Sequence, residues 1–84
     1  MNEKVLVNVM LPATRKTYDL WVPADMSAHD ASALIASILE TRERGRFAAT
    51  PESALMHADS GDLIDPSCTM GNAGAVNGSR FVLV

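Results

Sequence analysis

The sequence has little cysteine: Cys68 is the single one among 84 residues. One cysteine cannot form an internal disulfide, which favours a reducing compartment such as the cytoplasm. A catalytic thiol needs a neighbouring base and a positively charged environment, and the residues beside Cys68, from Asp65 to Thr69, supply neither. We therefore expect Cys68 to be a passive small side chain.

Basic residues and long apolar runs are also scarce. Seven Lys and Arg residues stand against ten Asp and Glu residues, for a net charge of −3. Only Arg42, Arg44 and Arg46 cluster, at a predicted helix end where cations complement the helix dipole. This distribution lacks the basic patch of a nucleic-acid-binding protein. The first residues, MNEKVLVNVML, do not have the pattern of a signal peptide, and the sequence contains no apolar run of about eighteen residues. We expect a soluble, intracellular protein that does not insert into a membrane.

The residues that hold metals or catalyse reactions do not form a recognisable set. His29 and His57 lie far apart in the sequence, without the spacing of metal ligands. Asp59, Asp62 and Asp65 flank a turn but lack the ligand pattern of an EF-hand calcium loop, so turn chemistry explains them better. We expect no enzymatic activity, no cofactor and no metal.

Two segments near the N-terminus alternate between apolar and other residues. Such alternation predicts β-strands, here over 4–11 and 17–22, and the intervening PATRK predicts a hairpin turn. The residues predicted to face the helix are Val5, Val7, Val9, Tyr18, Leu20 and Val22, together with Phe81 and Leu83 near the C-terminus. Leu11 lies on the same side of its strand as Val9.

A helix is predicted from about Ser27 to Arg44. Ser27 suits the N-cap, Asp30 suits the first turn and Gly45 suits the C-terminal end. Apolar residues recur with the spacing of one buried helical stripe. The stripe consists of Ala31, Leu34, Ile35, Ile38 and Leu39.

The second half of the chain predicts shorter elements. ALMHA and LIDP predict two short strands, Asn77-Gly78 predicts a turn, and RFVLV predicts a last strand. The order ββαβββ over residues 1–84 predicts a single α+β domain whose mixed sheet packs on one helix. This is the β-grasp, or ubiquitin-like, architecture, in which the last strand runs beside the first.

Two stretches carry a resemblance to a known family. TYDLWVPADMSAHDASALIASIL and GAVNGSRFVLV resemble the YukD/EsaB family of bacterial ubiquitin-like proteins, which are accessory proteins of type VII secretion systems. The resemblance implies a non-catalytic adaptor that acts by protein–protein binding. It implies a partner such as the secretion ATPase or a membrane component. It also implies a cytoplasmic location, peripheral to the membrane-embedded secretion complex.

Two other functions stay open at this point. Ubiquitin-like proteins that are conjugated or carry sulfur need a flexible tail ending in Gly-Gly, whereas this sequence ends on the strand residues Phe81 to Val84. We expect a non-conjugating protein, and a sulfur carrier only if the natural chain is longer. The other alternative is the small ubiquitin-like subunit of a multicomponent monooxygenase. Neighbouring genes would distinguish it from a secretion protein.

One surface is the best candidate for a binding site. Strand alternation predicts that five apolar residues face away from the helix: Leu6, Met10, Trp21, Val82 and Val84. Exposed apolar patches on sheets mark partner sites, and tryptophan is common among residues that dominate binding energy. The alternatives are scattered surface hydrophobes or a strand register shifted by one residue, which would invert every assignment.

Overall fold

The structure is a computed structural model and describes residues 3–45, 47 and 52–84. Its elements in chain order are β1 (Lys4–Leu11), β2 (Lys16–Pro23), α1 (Ala28–Arg42), β3 (Leu55–His57) and β4 (Ser79–Leu83). Arg46, the last member of the predicted arginine cluster, lies outside the described residues.

The four strands form one mixed sheet in the order β2-β1-β4-β3. β1 pairs with β2 antiparallel and with β4 parallel, and β3 pairs with β4 antiparallel. The prediction that the last strand lies beside the first is confirmed. β4 lies between β1 and β3, and its residues Phe81, Val82 and Leu83 are buried. Burial on both sides of β4 explains this apolar run.

The predicted strand at LIDP is wrong. The segment forms a single isolated bridge, between Leu63 and Met56, flanked by two backbone hydrogen bonds to β3, from the Ile64 N–H to Leu55 and from the His57 N–H to Asp62. The chain then turns away, because the Pro66 carbonyl accepts a hydrogen bond of 3.0 Å from the His29 N–H at the start of the helix. Proline also has no N–H to donate to a strand partner. The backbone at this point therefore serves the helix rather than the sheet.

The helix begins at the predicted N-cap and ends at Arg42, two residues before the predicted end. The Ser27 hydroxyl accepts a hydrogen bond of 3.1 Å from the Asp30 N–H, which satisfies one of the free donors of the first turn. At the other end, the Glu43 N–H donates to the Leu39 carbonyl. Gly45 follows with a φ of 79°, a conformation that glycine adopts without steric cost.

The helix presents a different face to the sheet from the one predicted. Ala31, Ile35 and Leu39 are fully buried, as expected, but Leu34 is 37% exposed. Ile38 is only partly buried. Ala28, Ser32 and Ala36 are buried in their place. Successive helical positions are about 100° apart, so burial of these three turns the core-facing stripe away from Leu34.

The core lies between α1 and the inner face of the sheet. Val7, Val9 and Phe81 are at most 1% exposed. The other predicted inward residues of β1 and β2 are also in the core, except that Val5 is only partly buried.

Among the described residues, no helix is both long and apolar enough to cross a membrane.

Candidate protein-binding face of the sheet

The strand register fixes which side chains share the outer face, the side of the sheet away from α1. Leu6 is opposite Trp21, and Met10 is opposite Val82. Side chains opposite each other in a register point to the same side. Because Val7, Val9 and Phe81 are in the core, their alternating neighbours face outward. The predicted register is therefore the one that the sheet adopts.

Three cross-strand neighbours on this face form an apolar row: Met10, Val82 and Met56. Met10 is paired with Val82, and Val82 with Met56, which places adjacent Cβ atoms about 5 Å apart. Val82 is only 7% exposed although it is no part of the helix-facing core. We expected Val82 to be open to solvent. It is instead covered, in the centre of the row, because longer side chains lie on both sides of it.

A second apolar region lies toward the other end of β1. Trp21 on β2 is 58% exposed, and its partner Leu6 is half-buried. The Leu6 N–H donates a 2.8 Å hydrogen bond to the Asn77 side-chain oxygen, so the turn before β4 satisfies the β1 backbone here. Trp21 is thus a large aromatic side chain on a fixed strand, with most of its surface available to a partner.

A polar row separates the two apolar regions: Asp19, Asn8 and Arg80. Asn8 is opposite both Asp19 and Arg80 in the register. Its side-chain amide donates a 3.0 Å hydrogen bond to Asp19. Arg80 forms an ion pair with Asp59. Strand alternation places these three residues on the outer face together with Leu6 and Met10. The sequence prediction missed them because it considered only apolar side chains.

Val84 lies next to the apolar row and is 51% exposed. Its backbone is held by two hydrogen bonds with Ala54, of 2.8 and 3.0 Å. All five residues predicted from the sequence therefore lie on one side of the sheet, but the polar row divides them. Whether they bind a partner stays a prediction.

The titratable side chains of Asp65 and His57 make contacts that stabilise the fold. The backbone N–H and hydroxyl of Ser67 both donate to Asp65, and these bonds lower the pKa of that carboxyl below its usual value of 3.8. The His57 ring lies 5.4 Å from the Phe81 ring, where it contributes to packing. Within the described ranges, no group of three or more His, Cys, Asp or Glu side chains could hold a metal ion.

No family model matches the chain, and no curated protein matches it.

Comparison with solved structures yields many similar folds. The EccD5 ubiquitin-like domain from Mycobacterium xenopi has a TM-score of 0.79 at 15% identity, covering 98% of this chain and 93% of that one. The ubiquitin-like domain of the Mycobacterium tuberculosis type VII secretion system protein ECCD1 has a TM-score of 0.65 at 21% identity, covering 98% of both chains.

A chain of the MycP5-free ESX-5 inner membrane complex (State II) has a TM-score of 0.80 at 16% identity. The match covers 96% of this chain but only 20% of that one, so the chain spans about a fifth of that relative. Likeness at this identity establishes the fold. The protein has the ubiquitin-like, β-grasp fold that the order of its elements predicts.

Proposed function

We propose that this protein is a non-catalytic adaptor of a bacterial type VII secretion system, which binds another protein through the outer face of its sheet. The apolar row carries the proposal. Met10, Val82 and Met56 lie side by side on the side of the sheet away from α1, where the two methionines are half-buried. A sheet that packs on one side only needs no such row there. Similarity to the ECCD1 and EccD5 ubiquitin-like domains supports the secretion context.

The proposed partner is the secretion ATPase or a membrane component of the same system. Similarity to a chain of an inner membrane complex, together with the resemblance to the YukD/EsaB family, supports this choice. Such a partner would hold the protein at the cytoplasmic side of the membrane. The protein would then be peripheral to the complex and would contribute a folded surface rather than a membrane anchor.

The composition of the outer face indicates how it would bind. Methionine side chains adapt their shape to a partner, whereas Trp21 offers a rigid aromatic surface. The polar row between them requires matching hydrogen bonds, since a polar group buried without a partner costs about 1–3 kcal/mol. Binding energy would therefore come from the two apolar regions, and orientation from Asn8 and Arg80.

The test is a binding measurement with the purified cytosolic part of the secretion ATPase encoded nearest to this gene. Met10→Glu places a charge in the apolar row and should weaken binding at least about tenfold. Leu34→Glu is the matched control, because Leu34 lies on the helix and is 37% exposed. It should bind like the wild type.

Two results would contradict the proposal. Equal weakening by Met10→Glu and Leu34→Glu would mean that the outer face is not the binding surface. Genes for a diiron hydroxylase beside this one, with no secretion genes, would favour a monooxygenase subunit instead.

A further inference from the structure

A second surface, distinct from the outer face, is a groove beside the helix. It has a volume of about 340 Å³ and lies between the first turn of α1, the start of β3 and the segment from Leu63 to Pro66. Four of the residues that line it are buried: Ala28, Ser32, Leu55 and Ile64. A cavity of about 150 Å³ holds a benzene ring. The groove therefore has room for one or two large apolar side chains.

Backbone hydrogen bonds fix the segments that form the groove relative to each other. The Ala28 N–H donates to the Cys68 carbonyl at 2.7 Å, which fixes the loop to the helix. The Ile64 N–H donates to the Leu55 carbonyl at 3.0 Å, which fixes the same loop to β3. A site built in advance loses little free energy to ordering when it binds.

The rim of the groove is acidic. Asp65 lines it, and both hydrogen bonds from Ser67 go to its Oδ1 atom. Within the described part of the chain its Oδ2 atom has no hydrogen bond, so that oxygen can accept one from a ligand. An aspartate carboxyl is already charged at neutral pH, and the bonds from Ser67 lower the pKa of Asp65 further.

Neighbouring residues add to this negative charge. Asp30, Glu52 and Asp62 are exposed and each is adjacent in sequence to a residue of the groove. The lining includes one histidine, His29, and neither the lining nor its sequence neighbours include a Lys or Arg. An acidic rim around an apolar floor is complementary to a cationic, partly apolar ligand.

We propose that this groove binds a short segment of a partner protein that carries a large aliphatic side chain next to a Lys or Arg. The aliphatic side chain occupies the floor formed by Leu55 and Ile64, and the cation pairs with Asp65. This site is additional to the outer face, and its existence does not depend on the secretion role. The two surfaces meet at Leu63, which lines the groove and is bridged to Met56, so Leu63 cannot distinguish them.

The probe is the capped hexapeptide Gly-Lys-Leu-Leu-Lys-Gly, titrated into the isotope-labelled 84-residue chain and followed by amide NMR shifts. The shifts should concentrate at His29, Ser32, Ile64 and Asp65. Serine in place of both peptide leucines should weaken binding at least about tenfold, because it removes the apolar burial. Added salt should weaken binding of the lysine peptide by screening its charges. Glutamate in place of both lysines should weaken binding more than added salt does, because it replaces attraction by repulsion.

Asp65→Asn is the matching change in the protein. Asparagine keeps an oxygen that can accept from Ser67 but removes the charge, so binding should weaken about two- to fivefold. Asp25→Asn is the control, because Asp25 is exposed and does not line the groove. It should leave binding unchanged.

Three outcomes would overturn the proposal. The first is the absence of amide shifts at millimolar peptide. The second is equal binding of the lysine and glutamate peptides, which would indicate a site for apolar molecules without charge preference. The third is a set of shifts at Met10, Val82 and Met56, which would place the peptide on the outer face. Failure of the groove and failure of the secretion role would thus be observed in separate measurements.

Discussion

Two adjacent helix residues provide a stringent test of the packing between α1 and the sheet. Ile35 is 0% exposed, whereas Leu34 is 37% exposed. Both are large aliphatic residues in the same turn of α1, so alanine affects their helix propensity similarly. Ile35→Ala should destabilise the fold by about 2–5 kcal/mol, the usual cost of removing a large buried aliphatic side chain. Leu34→Ala should cost about 1 kcal/mol or less, because most surface changes are small.

The size of the domain makes this difference easy to measure. At roughly 0.05–0.15 kcal/mol per residue, an 84-residue domain has about 4–13 kcal/mol of stability in total. Ile35→Ala would therefore remove a large share of the free energy of unfolding. Both variants should be compared with the wild type by urea unfolding, with the slope of each transition checked for two-state behaviour.

The comparison also distinguishes the observed helix orientation from the predicted one. The apolar spacing of the sequence places Leu34 and Ile35 together in the buried stripe, which predicts similar losses from both substitutions. Equal destabilisation by Leu34→Ala and Ile35→Ala would refute the orientation described here. Ile38→Ala should lie between them, because Ile38 is only partly buried.

Three further predictions follow from single contacts. Trp21, at 58% exposed, should show red-shifted fluorescence that acrylamide quenches, and a blue-shifted, protected signal would contradict the register. Trp21→Ala should change the free energy of unfolding by about 0.2–1 kcal/mol, the value of a cross-strand pair. Ser27→Ala removes the acceptor for the Asp30 N–H and should cost about 0.5–2 kcal/mol in urea unfolding, whereas Ser27→Asp should restore the cap. Ser67→Ala should raise the pKa of Asp65 toward 3.8 in an NMR titration, because the hydroxyl bond that lowers it is lost. The stabilisation from a lowered carboxyl pKa is present above the unfolded-state pKa and is lost as the pH falls through the folded-state pKa, so wild type and Ser67→Ala should differ less in stability at strongly acidic pH than at neutral pH.

Strand alternation predicted the sheet well because a period of two leaves few choices. Once Val7 and Val9 are assigned to the core, Leu6, Asn8 and Met10 must face outward. The orientation of the helix was harder to predict, because the large apolar residues Leu34 and Ile38 were assigned to the buried face and the small residues Ala28 and Ala36 were not. Ala28 and Ala36 contribute little apolar surface each, yet they are buried in the core, whereas the larger Leu34 is 37% exposed.

Tertiary contacts decided the features that local patterns could not predict. The LIDP segment has the composition of a strand, but Pro66 bonds to the start of the helix, and no sequence period records that contact. The groove has the same origin, since it exists only where the Leu63–Pro66 loop meets α1 and β3. Val82 was assigned to the correct face, but its burial depends on the size of Met10 and Met56 on the neighbouring strands.

The burial of Val82 determines how the outer face can be tested. Its neighbours in β4, Phe81 and Leu83, are in the core, and Val82 itself is covered on the other side, so β4 is packed on both faces. A polar substitution at Val82 would therefore reduce stability and binding together and could not separate them. Met10 is half-buried at the end of the row, where a charge can point toward solvent in the free protein and is buried only when a partner binds. A loss of binding in Met10→Glu with unchanged unfolding would thus report on the surface alone, and a parallel loss of both would mean that the apolar row stabilises the sheet rather than recognises a partner.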